Sequence, residues 1–343
     1  LEKTAFTEAD MGDPIYMHVA DDDGREGDFI CDMIKHVKTT SNGKFQDFAV
    51  LYRTNRQSRA VEVAMTQMGI PYQVVGGHAF YDRKEIKDLV AYLRAINNGL
   101  DVLAFNRIIN VPKRGIGDAS VNKIQTYATE CGIPFSRALE SVEDVPKVPK
   151  KAAASIADFL TMMREFQAFV TSDEFSVAEL IRMVLAKTQY MESLNPEKEE
   201  DLARMENIEE LINVAGKWDE EVQGEGKGLT EFLTETSLVS DIDSMEDMDA
   251  VTLMTVHASK GLEFKNVFLI GLEEGIFPHG RSMKDMEEME EERRLMYVAM
   301  TRAEKKLIIS RCVQRYEYGV PKPIYNKPSR FLNEIPTELV QKI

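Results

Sequence analysis

Cysteine is scarce. The three residues Cys31, Cys131 and Cys312 are odd in number and widely spaced, a usage that gives no metal-ligand pattern and fits a reducing compartment. No apolar run is long enough to span a bilayer and no signal peptide is recognisable, so no membrane partner is expected. Positive charge is the minority sign, with 42 Lys and Arg against 58 Asp and Glu and a formal net charge of -16. That balance argues against a general polyanion binder, because phosphate contacts need Lys and Arg, and it restricts any such contact to a local basic patch. No Gly-x-x-x-x-Gly-Lys-Ser/Thr string occurs, so there is no Walker phosphate loop. The run Gly224-Glu225-Gly226-Lys227-Gly228 reads as a flexible loop instead.

What is present is ample apolar material. At 343 residues and 43% hydrophobic content the chain can bury a full core, and its length suggests two domains. It opens on Leu1 rather than Met, and is expected to be a piece of something longer.

The most informative stretch runs from residue 251 to 310. Val251–Thr255 is β-branched and apolar and ends at a polar turn, residues 257–260; residues 266–270 and 306–310 are two further apolar runs, all three reading as buried strands. Between the last two, Leu295, Met296, Val298 and Met300 recur at helical spacing over residues 289–300. Strand, turn, strand, helix, strand is the pattern of an α/β core. The acidic run 287–292 reads as a solvated helix start, where the helix dipole favours negative charge. Upstream, Ile15–Ala20, Phe48–Tyr52 and Tyr72–Val75 read as strands, with helices over 27–39, 58–68 and Lys84–Asn97; Asp21 to Gly24 is turn-like, and Ser41-Asn42-Gly43 breaks the first helix. The polar loop from Arg53 to Arg59 follows a strand, at the sheet edge where open α/β folds bind ligands.

Taken singly, Glu263 and Arg302 would be a solvated carboxylate and a surface ion pair. In company they say more. Thr-Val-His-Ala-Ser-Lys-Gly-Leu-Glu-Phe (255–264) and Tyr-Val-Ala-Met-Thr-Arg-Ala-Glu (297–304) closely resemble, in sequence, order and spacing, the two C-terminal motifs of the UvrD/Rep/PcrA family of DNA helicases. Ala-Val-Leu-Tyr-Arg-Thr-Asn-Arg-Gln-Ser-Arg (49–59) resembles a third.

The resemblance implies an α/β fold: a RecA-like parallel-sheet domain, called 2A, formed by residues 1–98 and 250–343 and interrupted by an all-helical domain, 2B, at 99–249. It implies ATP as substrate, with Mg, both bound mainly by an N-terminal RecA-like domain of the same protein. Glu263 would accept the ribose hydroxyl, and Arg302 would be the catalytic arginine finger on the γ-phosphate. Arg53, Asn55, His257, His279 and Tyr318 would face single-stranded DNA, Tyr318 by stacking on a base. By their own chemistry, Asn55 or Ser58 could equally cap a helix, and a lone His or a loop aromatic is more often structural. The backbone near Ser259 and Lys260 would add an anion site if a helix starts there. Ala79 stands where family members often carry a basic residue before Phe80.

From about residue 99 to 249 the chain reads as helices: 103–110, 118–130, 134–139, 151–170, 177–187, 197–214 and 229–239. An acidic linker at 241–249 then returns to the core. Val111-Pro112-Lys113-Arg114-Gly115-Ile116-Gly117 lies between two of these helices. Gly115 and Gly117 permit a tight hairpin whose N–H groups face outward beside Lys113 and Arg114, a phosphate site independent of sequence. It is like a helix-hairpin-helix element gripping duplex DNA; the plain alternative is a glycine-capped turn.

The expectation is therefore the C-terminal part of an ATP-dependent 3'-to-5' helicase acting in DNA repair or replication, cytoplasmic and nucleoid-associated, inactive without its Walker-bearing half. Two rivals are a stand-alone DNA-binding module and a protein-interaction domain, which the acidic surface would suit.

Overall fold

The computed structural model describes residues 12–172, 174–222, 228–240, 249–316 and 323–343. Tyr318, most of the 224–228 loop and most of the 241–249 linker lie outside them. Among the described residues the chain runs β1 (Ile15–Ala20), α1 (Asp23–Ser41), β2 (Phe48–Tyr52), α2 (Ser58–Gln67) and β3 (Tyr72–Val75). It then passes through α3 (Lys84–Asn97), α4 (Val102–Ile108), α5 (Asp118–Cys131), α6 (Phe135–Glu140), α7 (Lys150–Val170), α8 (Val177–Thr188), α9 (Glu199–Glu221) and α10 (Leu229–Ser240). It returns through β4 (Val251–Thr255), β5 (Phe264–Leu269), α11 (Met286–Met300), β6 (Ala303–Cys312), β7 (Gln314–Arg315), β8 (Ile324–Tyr325) and β9 (Val340–Lys342).

These elements form two compact units, Leu1–Phe80 with Asp241–Ile343, and Tyr81–Ser240. The expected limits at 98/99 and 249/250 differ from these, chiefly because α3 packs on α4, α7, α8, α9 and α10. Its buried Ile86, Leu89, Leu93 and Ile96 form an apolar stripe of the kind that packs on other helices.

The α/β unit is built on a seven-stranded sheet in the order β3-β4-β2-β5-β6-β1-β9, every pairing parallel. A parallel sheet is covered on both faces, and β2 shows why its sequence is continuously apolar. Phe48, Val50 and Tyr52 join α1 and α2 in one core, while Ala49 and Leu51 join α11 and the segment around Phe331 in the other. The crossover β5–α11–β6 joins two adjacent parallel strands, so α11 necessarily runs back from their C-terminal edge to their N-terminal edge.

Several boundaries move for local reasons. The first helix begins at Asp23 rather than 27, because Asp22 accepts the Arg25 N–H at 2.9 Å and caps it. It ends where expected, with Asn42 in the left-handed conformation (φ 50). The helix expected over 197–214 continues to Glu221, burying Trp218 against Phe232 of α10. Strand β9 has no signal in its own three residues; it exists because β1 offers a free edge.

Candidate functional site: two edges of one sheet and a helical hairpin

Strand direction decides which side chains meet. Glu263 and Arg302 immediately precede β5 and β6, whose pairing begins at Phe264 with Ala303, and Phe264 N–H donates to Arg302 O at 2.9 Å. The two residues are thus brought together at the N-terminal edge of the sheet. Glu263 is exposed and Arg302 half-buried. The Arg302 guanidinium donates from Nε to Val298 O (3.0 Å), from Nη1 to Leu262 O (2.9 Å) and from Nη2 to Thr301 Oγ1 (3.0 Å). Val298 lies in the last turn of α11, where carbonyls lack helical partners and attract a cation. All three acceptors are neutral, so an anion brought to this edge would compete for the guanidinium with a charge-assisted bond, roughly twice as strong as a neutral one.

The opposite edge gathers the loops after β2, β3, β4 and β5. Arg53 and Asn55 follow β2, His257 follows β4, and His279 lies in the loop after β5. The strand order makes β4, β2 and β5 neighbours, so these residues share one edge. Their loops are packed closely. A Cβ on Gly76 would lie 3.0 Å from the Ala258 Cβ, and one on Gly77 would lie 4.0 Å from Asn55 Oδ1. Gln57 ties two loops together: its Oε1 accepts the N–H groups of Arg53 and Thr54 at 3.0 Å each, and its Nε2 donates to Ile270 O at 3.4 Å. Gly271 makes that possible. Its φ is +69, and a Cβ there would sit 2.0 Å from Gln57 Nε2.

Two expectations at this edge need correcting. No helix starts at Ser259 and Lys260: residues 256–261 are turns, and the Ser259 N–H is spent on Thr255 O at 3.2 Å, so the conditional anion site there falls away. Nor is the whole acidic run 287–292 solvated. Glu292 is 3% exposed and accepts two hydrogen bonds from Arg53 Nε (2.9 and 3.0 Å) and one from Nη2 (2.6 Å). The signal was present in the helical spacing, since Glu292 falls on the inward stripe with Met289, Leu295, Met296 and Ala299.

Behind the same edge lies a buried ionic cluster that has no local signal in the sequence. Arg315 donates to Glu273 (2.7 and 2.9 Å) and Glu26 (3.1 Å), and Ser310 Oγ donates to Glu26 at 2.7 Å. Burial opposes the charge on Arg315, but the carboxylates of Glu26 and Glu273 outweigh it and hold the guanidinium protonated well above its ordinary range. Burial, then Glu26, pushes the Cys312 thiol up, so it is an inert core group.

In the helical unit, residues 110–117 form a hairpin between α4 and α5. Gly115 has φ +75 with nothing near its missing side chain, so conformation rather than space calls for glycine. Asn110 Oδ1 accepts the N–H groups of Arg114 (2.8 Å) and Ile116 (3.2 Å), which turns those two inward. Lys113, Gly115 and Gly117 are exposed. Arg114 is directed differently from the expectation. Its Nη1 donates to Ile108 O and Val111 O at 3.0 Å each and its Nη2 to the Tyr92 hydroxyl at 2.5 Å, while the guanidinium lies 5.3 Å from the Phe159 ring centre. These carbonyls already accept the Val111 N–H (Ile108 O, 3.0 Å) and the Tyr92 hydroxyl (Val111 O), so the planar five-donor group adds a second bond to each and cross-links the hairpin to α3. Burial, against the opposing Arg114 charge, raises the Tyr92 hydroxyl to about 12, so it stays a neutral donor to Val111 O at 2.5 Å.

A parallel-sheet domain with an acid and an arginine at one edge, polar loops at the other, and a helical unit carried between β3 and β4 defines the C-terminal domain class of UvrD-type helicases. The family model for the UvrD-like helicase C-terminal domain matches residues 1–314, and the chain belongs to that family. It is 43% identical over 349 residues to the ATP-dependent DNA helicase PcrA of Bacillus subtilis, covering 99% of this chain and 46% of that protein. The PcrA helicases of Leuconostoc citreum (42% over 345 residues) and Staphylococcus aureus (43% over 345 residues) are similar at the same coverage. The chain spans about half the length of the curated relatives it matches.

Proposed function

We propose that this chain is the 2A and 2B part of an ATP-dependent helicase that translocates 3'-to-5' on single-stranded DNA and unwinds duplex in repair or replication. The observation that carries the reading is the separation of chemistry on one sheet: Glu263 and Arg302 adjoin at the N-terminal edge, while Arg53, Asn55, His257 and His279 share the C-terminal edge. ATP and Mg would be held mainly by a Walker-bearing RecA-like domain facing the first edge. Arg302 would exchange neutral acceptors for the transferring phosphoryl group, supplying positive charge where negative charge develops. Exposed Glu263 would take the ribose hydroxyl. Tyr318, by family resemblance, would add a stacking platform for the single strand. Lys113 and the exposed N–H groups around Gly115 and Gly117 would hold duplex phosphate, with Arg114 shaping the hairpin rather than meeting the DNA. Closing and opening of the nucleotide cleft would then shift the DNA-facing edge along the strand.

The test is unwinding by the full-length protein of partial duplexes bearing a 3' or a 5' single-stranded tail. ATP-dependent unwinding of the 3'-tailed substrate supports the reading. Unwinding of the 5'-tailed substrate alone reverses the direction, and binding without ATP turnover favours a DNA-binding module.

A further inference from the structure

We propose that Glu292 is a positioning residue that fixes the DNA-facing edge of the sheet to the helix that leads into Arg302. The inference rests on the helicase reading above. One buried carboxylate holds two loops. Glu292 takes Nε and Nη2 of Arg53, on the loop after β2, and its Oε2 accepts the backbone N–H of His279, on the loop after β5, at 3.0 Å. The Arg53 side chain is 17% exposed and that of Glu292 3%. Breaking such a pair by removing one partner leaves an uncompensated buried charge, so the guanidinium does not swing freely. Nη1 of Arg53 makes no hydrogen bond among the described residues, which leaves its N–H groups oriented for a phosphate oxygen.

The second half of the argument is where Glu292 sits. Helix α11 runs from the C-terminal to the N-terminal edge of the sheet, and from Glu292 to its end at Met300 it rises roughly 12 Å. Beyond that end Arg302 bonds back to Val298 O on the same helix. A packed helix moves as a body, so a displacement of Arg302 toward a nucleotide is carried to Glu292, and through it to Arg53 and His279. Conversely, DNA on that edge biases Arg302. None of the four contacts requires Glu292 to touch DNA or ATP itself.

The experiment uses the full-length protein and compares the parent with Glu292→Gln, which keeps shape and one acceptor oxygen but loses the charge. ATP turnover is measured against single-stranded DNA concentration and against ATP concentration. The DNA concentration for half-maximal stimulation should rise about tenfold, and stimulated turnover should fall several-fold, while KM for ATP stays within about twofold. Met289→Ala on the same buried stripe controls for simple loss of stability. It should lower Tm without the DNA-specific effect. Parent-like DNA activation in Glu292→Gln, or an equal loss in Met289→Ala at matched Tm, overturns the proposal. A parent with no DNA-dependent turnover at all overturns the helicase reading first, and this proposal with it.

Discussion

The two units arrange their charged side chains in different ways. In the α/β unit, strand direction sorts the polar residues: whatever precedes β5 and β6 emerges at one edge, and whatever follows β2, β4 and β5 at the other. The helical unit has no such sorting device, and its candidate chemistry is confined to one hairpin in which Asn110 and Arg114 turn inward to satisfy the loop's own backbone. The difference teaches how to read an arginine. Arg302 bonds neutral carbonyls and a hydroxyl at an open edge and can exchange them; Arg53 is held by a buried carboxylate and can only be aimed; Arg114 is consumed by its own loop.

The sharpest break of this comparison is at Arg302. In the full-length enzyme Arg302→Ala should reduce ATP turnover roughly a thousandfold while leaving DNA affinity nearly intact. Equal turnover in variant and parent would remove its role. Next in size is Gly271→Ala, which meets Gln57 Nε2 and a positive φ together; thermal or urea unfolding should register a loss of about 2–4 kcal/mol from the α/β unit. An unchanged midpoint would mean that the Gln57 tie is dispensable. Arg114→Ala should destabilise the helical unit by about 2 kcal/mol through its lost bonds to Ile108 O, Val111 O and the Tyr92 hydroxyl, and weaken duplex binding only in step with that loss. Smallest is Lys113→Ala. It should leave Tm unchanged and lower the salt dependence of duplex binding by about one phosphate contact, with less effect on single strands. A salt slope altered by Arg114→Ala and not by Lys113→Ala would reverse the assignment within the hairpin.

Much of the α/β unit was legible because buried parallel strands are short, continuous apolar runs. Four strands, Ile15–Ala20, Phe48–Tyr52, Tyr72–Val75 and Val251–Thr255, begin and end where their residues suggest. The helix carrying Glu292 was legible too, yet the fate of Glu292 was not. An acidic run looks solvated until the helix's inward stripe is followed through it. Side-chain direction defeated the reading of Arg114 in the same way: the sequence places a cation beside two glycines, but only the fold reveals the carbonyls of Ile108 and Val111 within reach. Long-range structure hid the rest. Nothing local in residues 340–342 marks a strand without β1, and Glu26, Glu273 and Arg315 are brought together only by the folded sheet.

The central claim is that Glu263 and Arg302 form one wall of a split nucleotide site. It is tested most directly by ATP hydrolysis in the presence of single-stranded DNA, using this chain alone, the chain mixed with a separately expressed Walker-bearing N-terminal half, and the same mixture carrying Arg302→Ala. The account predicts silence alone, turnover on mixing, and loss of that turnover with Arg302→Ala. Turnover by this chain alone, or undiminished turnover in the Arg302→Ala mixture, would contradict it.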